Sequence, residues 1–210
     1  MSLPLVKICG ITNFSDALFS ATAGANYLGF IFYPKSPPYI DPHKAKEIIR
    51  KLPTNVTPVG VFVNEKRETI EQILHKTNIR TIQLSGDESP DDCLGYSVDV
   101  WKAFRYTRVE EVNQTKSYNI FAALLDGVKD GLYGGTGTPV DFAIALELKK
   151  IHRVVLSGGL NPENIQYALN TIQPYAVDVN SGIEFVPGKK DHDKVKRLFE
   201  QLKNTRNSKP

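Results

Sequence analysis

Two residues in this chain stand where proton chemistry could be done, Cys9 and Asp126. Cys9 belongs to Val6-Lys7-Ile8-Cys9-Gly10-Ile11-Thr12, a short apolar run that gives way to Gly and Thr where a strand should turn toward a helix. Two readings stand open: a buried packing residue, which is what a free cysteine commonly is, or a thiol presented for reaction. Asp126 ends the run Phe121-Ala122-Ala123-Leu124-Leu125. A carboxylate there either caps a loop at the strand tip or is enclosed. An enclosed one, its pKa raised by apolar walls, suits a general acid. The segment 127–139 is long for a strand-to-helix connection and suits a lid.

Farther along, Ser157-Gly158-Gly159 and Asn180-Ser181-Gly182 each close an apolar run, and Gly134-Gly135-Thr136-Gly137 lies in the long segment. A lone glycine turn does no more than end a strand. Several together, two on consecutive strand ends, read as a phosphate cradle whose backbone N–H groups reach the anion without a Cβ in the way. Gly135, Thr136 and Gly137 are expected to fold over the same ligand. His43, His75, His152 and His192 fall in or beside expected helices and read as surface or packing residues. No Ser-His-Asp order, zinc-binding helix motif or Walker loop is present.

A framework must hold these groups, and the hydrophobic pattern supplies one. Apolar runs of strand length recur at 5–9, 27–33, 57–63, 81–84, 98–106, 120–126, 154–157 and 176–180. Helical patterns follow them at 14–23, 42–52, 67–76, 91–95, 109–115, 140–150, 162–169 and 191–202, with Asn13, Asp41-Pro42 and Asn161-Pro162 as N-terminal signals. Strict alternation argues for parallel strands joined by helical crossovers. Runs such as Val59-Gly60-Val61-Phe62-Val63 are apolar on both faces, as strands covered by helices should be. Eight units fit an α/β fold of one domain, a (β/α)8 TIM barrel of eight parallel strands ringed by helices over residues 1–202. The runner-up, an open doubly wound sheet, lacks its G-x-G-x-x-G fingerprint. In the barrel, active sites lie at the carboxyl ends of the strands, and Cys9, Asn64, Ser85, Arg105, Asp126, Ser157 and Asn180 all fall there.

The composition is that of an ordinary globular chain: 210 residues, 41% hydrophobic and 23% charged, with a net charge of +3. That charge is too small and too evenly spread to suggest nucleic acid, and no apolar run is long enough to span a membrane. It suits a small phosphorylated substrate without demanding one. Lysines cluster at 143–150 and from Lys189 to Lys203, where they read as solvated helix faces. Cys9 and Cys93 show neither ligand spacing nor a disulfide framework, which fits a cytoplasmic protein. The start, Met1-Ser2-Leu3-Pro4, has no apolar signal core. Residues 203–210 read as a disordered tail.

Several of these stretches, taken together, carry a resemblance. Lys7-Ile8-Cys9-Gly10-Ile11-Thr12, Gly29-Phe30-Ile31-Phe32-Tyr33-Pro34-Lys35-Ser36-Pro37, Val59-Gly60-Val61-Phe62-Val63-Asn64, Gly134-Gly135-Thr136-Gly137, Leu156-Ser157-Gly158-Gly159-Leu160-Asn161-Pro162 and Asp178-Val179-Asn180-Ser181-Gly182-Ile183-Glu184 closely resemble the phosphoribosylanthranilate isomerases of tryptophan biosynthesis. Pro187-Gly188-Lys189-Lys190-Asp191 continues the match, which runs in order over nearly the whole chain. The resemblance implies a cofactor-free Amadori rearrangement of N-(5'-phosphoribosyl)anthranilate to 1-(2-carboxyphenylamino)-1-deoxyribulose 5-phosphate, with Asp126 as general acid and Cys9 as general base. It implies no metal, because the iminium intermediate is its own electron sink. The expected partner is the small phosphoribosyl substrate, with the protein a monomer or a homodimer. A free thiol titrates at roughly 8.5, and Lys7, on the same strand face as Cys9, is expected to lower that value if it points inward.

Two positions depart from the family's pattern. Pro38 stands where the family usually has the Arg that contacts the anthranilate carboxylate, and Ser85 stands where it usually has His. Lys35 or Arg105 is expected to supply the missing charge, and Lys7 and Asp178 are grouped with these residues as aryl-end or unassigned. The competing readings are a sugar-phosphate isomerase of the histidine-pathway type, or a dual-substrate variant, and a catalytically silent phosphosugar-binding barrel. Cys9, where the histidine-pathway enzyme has Asp, argues against the first. Only Pro38 and Ser85 support the second.

Overall fold

A computed structural model of the chain describes residues 4–127 and 140–204. Gly135, Thr136, Gly137 and the expected lid therefore lie outside the described residues. Eight parallel strands form one closed barrel in chain order: β1 (Leu5–Ile8), β2 (Tyr27–Ile31), β3 (Thr57–Phe62), β4 (Thr81–Leu84), β5 (Asp99–Phe104), β6 (Ala122–Leu125), β7 (Val154–Leu156) and β8 (Ala176–Val179). The ring closes where β1 pairs with β8, setting Lys7 opposite Asp178.

Among the described residues the crossovers carry α1 (Phe14–Ala23), α2 (Pro42–Ile49), α3 (Arg67–Thr77), α4 (Phe142–Lys149), α5 (Ile165–Ile172) and α6 (His192–Asn204). Asn13 and Asp41 cap the first two helices by accepting backbone N–H groups, as their positions in the sequence imply. The fourth and fifth crossovers differ from expectation. They hold 3-10 segments, Asp91–Cys93 and Val109–Ser117, in place of α-helices. Helix α5 begins at Ile165 rather than at 162, because Asn161 first uses its side-chain oxygen on the N–H groups of Glu163 and Asn164. The final helix runs to Asn204, past the expected end of the folded region at 202, and residues 205–210 lie outside the described residues.

Strand alternation separates an outer shell of apolar residues from those that face the barrel interior. Ile8, Leu28, Phe30, Phe62 and Ile82 join Ala17, Ala45, Ile48 and Ile70 in a shell between sheet and helices. Trp101, Ala103, Ala122, Leu124, Val155 and Ala176 form a separate cluster, with Tyr27 set edge-on to Trp101. These alternate along the strands with the shell residues and fill the barrel interior, in the layered manner of such barrels. Beyond β8 the chain adds a small antiparallel hairpin, β9 (Glu184–Val186) and β10 (Lys189–Lys190). No helix among the described residues is long and apolar enough to cross a membrane.

Candidate active site

Above the interior layer, at the carboxyl ends of the strands, lies a cavity of about 240 Å³. Cys9, Asp126, Ser157, Gly158, Gly159, Asp178, Asn180, Ser181 and Gly182 all line it, so most of the residues singled out in the sequence meet in one place. Pro38 and Ser85 line it too, beside Ile31, Tyr33, Val61 and Val63.

Cys9 is buried, and its backbone N–H bonds to Val179 O at 3.0 Å, which ties β1 to β8 at the level of the thiol. Lys7 lies one interior step below and is 0% exposed. Its ammonium pairs with Asp178 Oδ2 at 2.8 Å, and its charge acts on the Cys9 thiol. Burial pulls the Lys7 pKa down, but Asp178 and Cys9 together outweigh it and the net shift is upward. For Cys9, burial raises the pKa and Lys7 opposes it, and burial wins. The expectation that Lys7 lowers the thiol thus holds for that one interaction and fails for the sum. The resting pair is an ammonium beside a neutral thiol. Lys7 does not line the cavity; it supports it from beneath.

Asp126 is enclosed, and its carboxylate accepts the Gly127 N–H at 2.9 Å. Burial first, then the charge of Asp178, lift its pKa from 3.8 to about 6. The Gly127 N–H, Arg105 and Ser157 pull the other way. A carboxylic acid in that range gives up a proton readily near neutral pH, as a general acid must.

Between β7 and α5, Gly158 and Gly159 hold φ of 84° and 65°, where a side chain would be strained. Asn164 fixes the turn by donating to Gly159 O at 2.9 Å. A Cβ on Gly182 would come within 2.0 Å of Leu160 O, so the two glycine turns can approach only as they are. Their proximity forms a concave, backbone-lined end to the cavity, the kind of surface that takes phosphate.

Gln83, Glu184 and, beside the cavity, Lys190 escaped sequence reasoning. Gln83 lines the cavity and donates to Ser85 Oγ at 2.9 Å, while its own Oε1 is buried with no partner among the described residues. Asp178 Oδ1 is in the same state. Two orphaned acceptors in one cavity are suited to the hydroxyl or N–H groups of a bound molecule. Glu184 also lines the cavity, and Lys190, read in the sequence as part of a solvated cluster, is buried between Glu184 Oε1 (3.0 Å) and Asn180 Oδ1 (2.8 Å). Burial lowers the Lys190 pKa against the opposing pull of Glu184.

Two other expectations are corrected. Lys35 is exposed and does not line the cavity. Arg105 does not line it either; its guanidinium bonds Ser85 O at 2.8 Å and faces Asp87. Among the described residues, no Lys or Arg lines the cavity.

Comparison with known proteins supplies the context for this geometry. The family model of N-(5'-phosphoribosyl)anthranilate (PRA) isomerase matches residues 6–201. The isomerase of that name from Trichlorobacter lovleyi is 44% identical over 94% of this chain and 97% of its own length. The one from Thermotoga maritima is also 44% identical, over 94% of this chain and 98% of its own. A crystal structure of the Thermotoga maritima enzyme superposes with a TM-score of 0.89, at 41% identity, covering 96% of this chain and 100% of that one. A phosphoribosyl anthranilate isomerase solved with reduced 1-(o-carboxyphenylamino)-1-deoxyribulose 5-phosphate superposes with a TM-score of 0.86, at 40% identity and the same coverage.

Proposed function

Because this chain belongs to the N-(5'-phosphoribosyl)anthranilate isomerase family, an enzyme family of tryptophan biosynthesis, we infer that its cavity performs the Amadori rearrangement by proton transfer through Asp126 and Cys9. The observation that carries this reading is the meeting of a raised carboxyl and a buried thiol in one cavity that ends in two glycine turns. The substrate's phosphate sits against Ser157-Gly158-Gly159 and Asn180-Ser181-Gly182, and its aryl ring rests toward Pro38 and Ser85.

Asp126 gives its proton to the ribose ring oxygen. The bond from that oxygen to C1' breaks, and the anilino nitrogen lone pair closes a C1'=N iminium. The thiolate of Cys9 then removes the C2' proton. The C–H electrons form a C1'–C2' double bond and neutralise the nitrogen, giving an enolamine that tautomerises to the ketone. The oxygens of Gln83 and Asp178 that have no partner among the described residues accept hydrogen bonds from the substrate, and the Asp178 charge favours the iminium. The test is to form the substrate in place from anthranilate and phosphoribosyl pyrophosphate and follow the loss of its fluorescence. A wild-type protein that binds the reduced product analogue yet leaves the fluorescence unchanged overturns the reading in favour of a silent barrel.

Asp126 also carries a stability signature. Its folded-state pKa stands above the unfolded value, so its contribution to stability is whole below about pH 4 and is lost as pH rises through 6. At pH 7 the ionised, buried carboxylate costs about 3 kcal/mol. Asp126→Asn removes that cost: the variant is expected to melt higher than wild type at pH 7 and level with it near pH 3.5. Equal melting at both values would refute the enclosed-acid account.

The neutral aryl end makes a second expectation. Pro38 is buried, lines the cavity and stands close to Gly10 and Gly188. Pro38→Arg places a charge at the aryl end, where a charge-assisted contact to the anthranilate carboxylate is worth roughly 1.5–3 kcal/mol. The variant's KM for the anthranilate substrate should fall by about tenfold or more. An unchanged KM removes this explanation of Pro38.

A further inference from the structure

The interior of a closed barrel is filled by bulky inward side chains in layers, and β2 breaks that rule beside the thiol. Lys7 pairs in register with Tyr27 and Ile8 with Leu28, so the next step along β1, Cys9, meets Gly29. Tyr27 and Ile31, the residues two positions either side of Gly29 and thus on the same face, pack into the barrel interior. Gly29 is therefore the inward position of β2 at the height of the sulfur, and it has no side chain.

The space is occupied. A Cβ built on Gly29 would lie 2.6 Å from Cys9 Sγ, 3.1 Å from Cys9 Cα and 3.1 Å from Lys7 Cε. The sulfur and the lysine stem both lean into the room that the glycine leaves. Backbone conformation does not explain the glycine, since its φ is not in the left-handed region. Nor does the site's own turn chemistry, because Gly29 lies inside a strand paired on both sides.

We propose that Gly29 is a positioning residue for the thiol: its missing side chain opens the slot that holds the Cys9 sulfur against Lys7 and aims it into the cavity. The proposal rests on Cys9 being the base. In Gly29→Ala the added carbon sits at less than a sulfur–carbon contact distance, and the movable partner is the thiol, because Cys9 Cα belongs to the paired backbone. The sulfur swings about its χ1 bond away from Lys7 and from the substrate's C2'. A displacement of about 1 Å at a reacting atom lowers a rate by about a hundredfold.

The neighbouring strand supplies a control that is also crowded, a little less tightly, without the thiol. A Cβ on Gly60 would meet Phe62 Cε2 at 2.9 Å and Phe32 at 3.4 Å, in the shell between sheet and helices. The experiment compares the full chain with Gly29→Ala, Gly60→Ala and Cys9→Ala by steady-state kinetics, by calorimetric binding of the reduced product analogue and by thermal melting. Gly29→Ala should lower kcat by about a hundredfold while KM and analogue affinity stay within about threefold of wild type. Gly60→Ala should melt lower and keep its kcat. Wild-type kcat in Gly29→Ala, with kcat of Cys9→Ala lowered by about a hundredfold or more, overturns the proposal and leaves the base assignment standing. Wild-type kcat in Cys9→Ala overturns the base assignment itself. Melting closes a double-mutant cycle that needs no turnover. With the sulfur removed by Cys9→Ala, Gly29→Ala should lower the melting temperature less than it does in wild type. If Gly29→Ala alone does not fold, recovery of folded protein in the double variant supports the proposal. Equal losses in both backgrounds, or failure to fold in both, overturn it.

Discussion

Cys9→Ala is expected to lower kcat by about 10²–10⁴-fold, the usual worth of a positioned proton acceptor, with KM for the anthranilate substrate changed little. The split follows from geometry. The thiol lines the cavity, whereas the glycine turns and the apolar end proposed to hold the phosphate and the aryl ring follow other strands. The pH dependence sharpens the point. The acid, Asp126, titrates at about 6, below a thiol whose pKa stands above the ordinary range. The productive form needs the carboxyl protonated and the thiol ionised, which is the scarcer of the two single-proton arrangements. At pH 7 about a tenth of Asp126 holds its proton, and the thiolate share is smaller still. From pH 5 to 6 activity rises as thiolate accumulates. Above 6 the loss of carboxyl protons cancels that gain, so kcat/KM runs flat until the thiol itself titrates and then falls. The limb near pH 6 thus belongs to Asp126, and Asp126→Asn should remove it along with most of the activity. A wild-type profile with no inflection near pH 6 counts against this acid–base pair.

The barrel was legible in the sequence because parallel strands covered on both faces must be apolar on both faces, as Gly29-Phe30-Ile31 and Val59-Gly60-Val61-Phe62 are. The third, sixth and seventh crossovers announced helices by their caps or periodicity. The fourth and fifth did not become α-helices for a local reason. Asp91-Asp92-Cys93 is one turn long, and Val109-Glu110-Glu111-Val112-Asn113 mixes β-branched and amide residues that support a continued helix poorly. The hairpin β9–β10 went unread although Pro187-Gly188 marks its turn, since two or three residues a side show no alternation. The site divides in the same way. Strand-end positions could be counted off, so Cys9, Asp126 and the glycine turns were visible. Side-chain partnerships were not. Lys190 looks like one more surface lysine, yet its N–H bonds Asp16 and its ammonium is buried between Asn180 and Glu184. Lys7 and Asp178 stand 171 residues apart, and only the closure of β1 on β8 makes them neighbours.

That closure pair carries the largest stability effect expected of a single substitution. Lys7 is 0% exposed and Asp178 6%, and their contact is 2.8 Å. Lys7→Met leaves the Asp178 carboxylate buried without its cation, and with Asp126 also near it. Removing one member of such a pair costs about 3–5 kcal/mol, which should appear as a lowered urea midpoint with an unchanged slope. Lys7→Met with Asp178→Leu, which removes both charges and keeps apolar volume, should recover most of the loss, because the desolvation penalty of a buried pair roughly offsets its attraction. The double variant folds but should not isomerise, since it lacks the carboxylate that faces the iminium and the ammonium beside the thiol. Stability recovered together with activity would mean that the pair merely fills the barrel. The single variant also isolates the effect of Lys7 on Cys9. With the ammonium gone, burial and the Asp178 charge raise the thiol against the weaker pull of Lys190, and alkylation of Cys9 should require a higher pH than in wild type; identical titrations would remove Lys7 from the chemistry. The two measurements read different things from one atom. The ammonium that holds β1 to β8 at mid-barrel is also the cation that opposes burial at the base, so stability and the availability of thiolate should fall together when it is removed.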